Sequence, residues 1–245
     1  FQAAYVFNEK WSVNAQFAVG GGGGACEFDN GLPMFEQLVG GKFSEAQATS
    51  YGLNQNLTGE QYFYAFQLGG TYKLMENLSV FGGLRGVLAS TSYVGAIKNI
   101  SGDVKLPEAA GGIVMPGVAT SDDLTLDCSQ SGFGITPIIG VDYKTGKWNF
   151  AAKYEFRTKI NLENESSNSA NVDAMMPAYA DKAEVRSDIP ALLTVGAQYE
   201  VCQNFRAMAG FHYYWDKDAK GTPIKNGDNT WEANLGLEWD VNDKI

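Results

Sequence analysis

The chain has little of what enzymes and nucleic-acid binders are commonly built from. Its 245 residues include one histidine and three cysteines, and only 19% are Asp, Glu, Lys or Arg. His212 has no serine or carboxylate at the spacing of a nucleophilic triad, which argues against an enzyme. Cys26, Cys128 and Cys202 are scattered, with neither a CxxC pair nor a histidine partner, so no metal site and no cofactor is expected. A net charge of -10 without any Lys/Arg cluster excludes nucleic acid as a partner. No run of about 18 apolar residues exists, so a transmembrane helix is excluded too. The five consecutive glycines Gly20, Gly21, Gly22, Gly23 and Gly24 lack the Lys-Ser/Thr that would make them a phosphate loop. Nothing in the composition marks a linker, and residues 1–245 read as one domain. Phe1 is not preceded by a leader, and the last strand-like stretch runs into a turn at 242–244, so an internal part of a longer chain is expected.

What the chain does have is alternation. Over residues 62–74, Tyr62, Tyr64, Phe66, Leu68, Tyr72 and Leu74 share one face, while Gln67, Thr71 and Lys73 share the other. After the turn Met75-Glu76-Asn77, the residues Leu78, Val80, Leu84 and Leu88 share a face opposite Ser79, Arg85 and Thr91. A period of two is the strand period, and these arms reach the roughly 9 to 11 residues that a tilted strand needs to cross a bilayer. The same pattern recurs over residues 2–7, 11–19, 133–143, 148–156, 193–199, 205–213 and 231–241, which predicts nine strands. Short turns at 8–10, 75–77, 144–147, 202–204 and 242–244 alternate with long segments at 20–60, 92–131, 161–188 and 215–230, all read as irregular loops. Short turns at one end and long loops at the other are the plan of an all-β, transmembrane antiparallel β-barrel of the bacterial outer membrane. Tyr5, Phe7, Trp11, Tyr72, Tyr143, Trp148, Tyr199, Phe205 and Trp239 gather beside the short turns, as in one interfacial girdle.

The uniform face is apolar, so it is assigned to lipid and the other face to a lumen. Tyr64, Phe66, Val80, Leu84, Phe150, Tyr154, Val195 and Ala209 are expected to point outward on one sheet. The lumen then receives charges of both signs, including Asp142, Glu155, Glu200, Arg206, Glu232 and Glu238. These either pair with one another or form a cationic spot for an anionic headgroup, with Arg85, Lys153 and Arg157 as candidates. Cys26 and Cys128 fall at the long-loop end and Cys202 at the short-turn end. Only a Cys26–Cys128 disulfide is sterically open in an oxidising compartment.

The hairpin around Asn8-Glu9-Lys10-Trp11-Ser12, the five glycines, and Phe28-Asp29-Asn30-Gly31-Leu32-Pro33-Met34-Phe35-Glu36 together resemble the FadL/TodX-type family of outer-membrane transporters. Ser187-Asp188-Ile189-Pro190-Ala191, followed by the hairpin that ends in Tyr213-Tyr214-Trp215-Asp216-Lys217, agrees with that resemblance. It implies a barrel of fourteen strands, of which about nine are here. The N-terminal hatch, the first strand and the last strands would be absent. It implies passive uptake of long-chain fatty acids or other hydrophobic small molecules by a monomer in contact with outer-membrane lipid. It also gives Gly20 to Gly24 a role: the strand would leave the sheet there, kink inward and open a lateral window. Two outer loops would form a substrate groove, carried here by Ile113, Val114 and Met115 on one side and Met175, Met176 and Tyr179 on the other. A structural or adhesive barrel whose loops bind a partner is the rival reading.

Overall fold

A computed structural model describes residues 1–45, 48–221 and 227–241. The turn expected at 242–244 lies outside them. In chain order the elements are β1 (Gln2–Val6), β2 (Trp11–Phe28), α1 (Pro33–Glu45), β3 (Ala48–Met75), β4 (Leu78–Lys105), β5 (Val114–Thr120), β6 (Leu124–Thr145), β7 (Trp148–Glu155), β8 (Asn161–Ser166), α2 (Ala170–Met175), β9 (Glu184–Arg186), β10 (Leu192–Cys202), β11 (Phe205–Tyr214) and β12 (Thr230–Trp239). Nine of the strands form one antiparallel path, β1-β2-β3-β4-β6-β7-β10-β11-β12, to which β5, β8 and β9 are added. Among the described residues, β1 and β12 each have a strand partner on one side only.

A single face runs across the whole path. Phe17 opposes Phe66, Leu68 opposes Leu84, Leu84 opposes Pro137, Ile139 opposes Tyr154, Ala152 opposes Val195 and Ala209 opposes Leu235. Most of these side chains are exposed, Leu68 at 54% and Leu84 at 57%, which a water-soluble sheet would not tolerate over so large an area. On β12 the outward row is Trp231, Ala233, Leu235, Leu237 and Trp239. Its two tryptophans stand eight residues apart, about 27 Å along a strand, or about 21 Å of height at the usual tilt. They mark two girdles where one had been expected. By the short turns, Trp11 meets Tyr72 at 4.5 Å and Trp148 meets Tyr199 at 4.6 Å. At the other edge of the apolar band, Trp215 meets Tyr154 at 5.4 Å and Tyr213 at 4.9 Å, and Phe17 stacks on Tyr64 at 6.5 Å.

Two of the segments expected to be irregular, 20–60 and 92–131, are more than half strand. β3 and β4 are 28 residues each and pair almost to their ends. Beyond the apolar band their outer face carries Asn54, Asn56 and Glu60, so no lipid-facing alternation announces the ladder there. The stretch 161–188 is the tip of one long hairpin: Glu155 pairs with Leu192, Thr158 with Ile189 and Asn161 with Arg186, all in a single register. Relative to β6, one extra residue is absorbed between Glu155 and Asn161, which turns Ile160 and Leu162 toward the lumen. Gly132 and Gly134 of β6 make room for them, because a Cβ at Gly134 would stand 2.6 Å from Thr158 Cγ2 and 2.8 Å from Ile160 Cγ1. Val87 and Ala89 of β4 therefore reach Ile160 and Leu162 across bare backbone, and all four are buried beside Phe63 and Ile189.

The glycine run does not leave the sheet. β2 passes through it, with Val19 opposite Tyr64, Gly21 opposite Phe63 and Gly24 opposite Gln61. Five steps on β2 thus face three on β3, and the two surplus residues form consecutive bulges. Gly22, at φ +93°, could not be replaced in place, since its Cβ would lie 2.2 Å from the Gln61 carbonyl oxygen. The expected inward kink is corrected to a bulged but paired strand: both neighbouring segments hold their partners, so the surplus is absorbed locally.

Substituting Gly134 by Val forces the Thr158 to Ile160 segment off the wall and is expected to cost about 1–3 kcal/mol. Gly82→Ala, where a Cβ meets nothing within 4 Å, serves as the neutral comparison. Urea titrations of the two purified variants, read by the mobility shift of folded barrel on unheated gels, distinguish them.

Candidate functional site

At the long-loop end, the inner faces of β3, β4 and β6 present Leu57, Ile97, Leu124 and Leu126. Two helices close over them. α1 follows a turn in which the Gly31 N–H donates to the Phe28 carbonyl at 3.0 Å, and it starts at Pro33, whose missing N–H costs nothing in a first turn. Phe35 and Val39, four apart, fall on one side of it and pack with Ile97, Ile100, Leu124 and Val172. α2 brings Val172 and Met175, with Met176 just after. The result is an apolar cavity of about 90 Å³ lined by Met34, Phe35, Leu57, Ile97, Met175 and Met176 among others. It is smaller than the roughly 150 Å³ cavity that benzene fills, so it admits one end of a ligand unless a helix shifts.

Met175 and Met176 therefore take part, whereas the other residues expected in the groove lie elsewhere. Ile113 and Val114 are 60% and 47% exposed and, with Met115, belong to the β5 hairpin on the outermost part of β4. That hairpin is held by Asp103, which accepts from Ser50 Oγ at 2.7 Å and from the Gly117 N–H at 2.9 Å. The Ser50 hydroxyl, then the Gly117 N–H, holds the Asp103 carboxyl below the usual carboxylate range. Tyr179 packs edge-on against Tyr93 at 5.8 Å, below the cavity. Met34 and Phe35 are lining residues that the irregular reading of 20–60 missed. Their signal was Pro33 followed by apolar residues at helical spacing.

Below the cavity the inner wall is layered. Tyr93 and the buried thiol of Cys128 come first, then Thr91, Gln130 and Asn164, with Gln130 Nε2 donating to Asn164 Oδ1 at 2.8 Å. Next is the apolar layer of Phe63, Val87, Ala89, Ile160, Leu162 and Ile189. It touches the glycine run, because a Cβ at Gly21 would stand 3.2 Å from the Phe63 ring. Lower still are the candidate cations. Arg85 and Lys153 face the lumen, but both are engaged by one carboxylate of the protein itself. Arg85 donates to the two oxygens of Glu155 at 2.6 and 3.2 Å, and Lys153 Nζ stands 2.7 Å from Glu155 Oε1. Gln67 Oε1 accepts twice more from Arg85, at 2.8 and 3.1 Å. Arg157 lies apart, bonded to the Asp218 carbonyl and 3.9 Å from the buried Asp188 carboxylate, to which Arg186 also donates. The three cysteines are free thiols, Cys128 buried and the others exposed. Among the described residues no cluster of three or more His, Cys, Asp or Glu is arranged to hold a metal ion.

No family model and no curated protein matches the sequence. Solved structures do match in shape. The Ralstonia pickettii toluene transporter TbuX superposes with a TM-score of 0.58 at 15% identity, over 98% of this chain and 65% of that one. A Pseudomonas aeruginosa FadL homologue gives 0.55 at 12% identity over 99% and 56%, and the P. putida toluene transporter TodX gives 0.55 at 16% over 99% and 64%. The chain shares the fold of these three proteins. It spans less than two thirds of the length of each of these three relatives in structure.

Exchanging Met175 and Met176 together for Ser is expected to weaken binding of a lipophilic fluorescent probe several-fold, because both line the cavity. Met115→Ser on the β5 hairpin is the comparison. A larger loss from Met115→Ser, measured by titration in detergent, would move the binding surface to the hairpin.

Proposed function

We propose that this chain forms wall and outer mouth of a channel for passive uptake of hydrophobic small molecules, long-chain fatty acids among them, across a Gram-negative outer membrane. The observation that carries the reading is the succession of apolar surfaces on the inner side. A cavity lined by Met34, Phe35, Met175 and Met176 opens at the outer end, and a second apolar layer around Phe63 and Ile160 lies below it. An aqueous pore has no use for either. The fold shared with two toluene transporters and a FadL homologue supports the same reading.

The outward apolar band and its two girdles fit a protein surrounded by outer-membrane lipid, working as a monomer, without cofactor or catalysis. The exposed Ile113, Val114 and Met115, with Tyr179 nearer the wall, extend the apolar surface a ligand meets first. Arg85, Lys153 and Arg157 would meet a headgroup only by exchanging Glu155 or Asp188 for it. Lateral exit belongs to the proposal at Gly20 to Gly24. There the ladder skips Gly20, Gly22 and Gly23, and the inner apolar layer reaches the gap through Phe63. With fewer ladder bonds to break, this is the weakest place in the wall.

Deleting Gly22 and Gly23 removes both surplus residues and allows one unbroken register between β2 and β3. Uptake of a hydrophobic compound by cells producing this variant is expected to fall several-fold at unchanged abundance in the membrane. Undiminished uptake would refute lateral exit at this strand.

A further inference from the structure

We infer that Glu155 makes the lumen selective for uncharged hydrophobic ligands over carboxylates, an inference that rests on the transport reading. A fatty acid and a neutral compound of equal chain length bury the same apolar area and differ at the headgroup. The inner wall is furnished against the charged one. Arg85 and Lys153 converge on Glu155, whose side chain is only 10% exposed, and the second guanidinium face of Arg85 is filled by Gln67. In the row below, Lys153 lies opposite Thr194, Thr194 opposite His212 and His212 opposite Glu232, so a further carboxylate shares its level. His212 is bonded to that Glu232.

Carboxylates also lie near other cations of the chain. Lys73 is answered across Ser79 by Asp142, about 10 Å away over two strand spacings. Arg206 is held by Glu238 at 3.0 Å and by Asp240 at 2.7 Å. Arg157 lies away from the lumen, on the side of Arg186, and is spent on Asp188 and the Asp218 carbonyl. Glu200 faces the same space with no cation bonded to it among the described residues. The cavity above is lined by apolar side chains and glycine alone. A carboxylate entering this lumen would lose hydration and find Arg85 and Lys153 already engaged by Glu155, whereas an alcohol or hydrocarbon loses nothing comparable. Glu155 decides the matter, because removing its charge frees two adjacent cations at once.

The test compares uptake of laurate and 1-dodecanol at pH 7.5 by cells that produce the intact protein and lack other routes for these compounds. At that pH laurate is ionised, being far above an ordinary carboxyl pKa. The wild type is expected to favour dodecanol by about fivefold, the most that one unreplaced surface ion pair commands. Glu155→Gln is expected to shift the laurate-to-dodecanol ratio toward laurate by a similar factor. Laurate taken up as readily as dodecanol by the wild type would overturn the inference and leave the transport reading standing. A ratio unmoved in Glu155→Gln would remove Glu155 from the selectivity. Uptake of neither compound, with the protein present in the membrane, would overturn the transport reading and this inference with it. The wild-type comparison decides the inference even if the variant fails to reach the membrane.

Discussion

Hydrocarbon on one side of the sheet is the constraint from which the remaining features follow. Lipid offers no hydrogen bonds, so each strand in the band must be paired along its length, and each outward side chain must be apolar. A slip of one residue anywhere would carry Arg85 or Lys153 into lipid and Leu84 or Tyr154 into the lumen. The register therefore holds across the nine strands of the path, and where the chain does add residues it adds them in a way that keeps the outer face intact. On β2 two surplus residues leave the parity of the wall unchanged above and below Gly20 to Gly24. Between β7 and β8 a single surplus residue inverts parity only beyond Glu155, where Asn161, Glu163 and Glu165 then point outward among polar neighbours.

That constraint also sets what can be read from residues alone. Within the band, alternation is enforced by two unlike solvents, so Tyr64, Phe66, Leu84 and Phe150 reveal both strand and facing. Above the band both faces meet water or loop, and nothing selects an apolar period. The upper half of β3 carries Asn54, Gln55, Asn56 and Thr58 around Leu53 and Leu57, a mostly polar stretch, although its backbone remains paired with β4. β8 fails for the complementary reason. Leu162 and Asn164 are both buried, one apolar and one polar, so inward positions share a burial but not a chemistry. The five glycines were correctly marked as a place where the strand cannot be regular. Composition could not say whether irregularity meant departure or bulging, because that depends on whether Tyr64 and Gln61 keep partners across the run.

The site was legible to the same extent. Parity put Arg85, Lys153 and Glu155 on one face, but Arg85 and Glu155 are separated by 70 residues and by the intervening strand β6. Their bond crosses β6 diagonally, from the level of Thr136 to that of Ile138, and no local spacing expresses that. Met175 and Met176 stood out as apolar residues in a polar stretch, whereas Ile113 and Met115 stood out equally and lie apart from the cavity. The difference is made by α1, whose Phe35 and Val39 cover Met175's side of the mouth and not the β5 hairpin. A helix only thirteen residues long, with two adjacent glycines, carries too weak an apolar stripe to be recognised without its partners.

The vertical order of the layers follows from glycine placement as much as from the side chains themselves. Gly132 and Gly134 let side chains of β4 and β8 meet across β6, so a dry layer forms on the inner wall at mid-height. Gly69 and Gly83 do the converse below: Phe81 lies over them, its ring 2.3 Å from where a Gly69 Cβ would be, and leaves no room for longer side chains beside the ion pair. The charged layer is thus a shelf roofed by apolar residues, with Glu155 buried beneath them and its two cations turned toward it. From the outer end the inner wall runs from apolar cavity to apolar layer and then to the Arg85–Glu155–Lys153 cluster, whose charges are paired. At that level the adjacent apolar surface continues through Phe63 to the glycine bulges, not downward to Asp142 and Glu200. The apolar surface therefore continues sideways along the wall, from the layer that Gly132 and Gly134 admit to the bulges at Gly20 to Gly24.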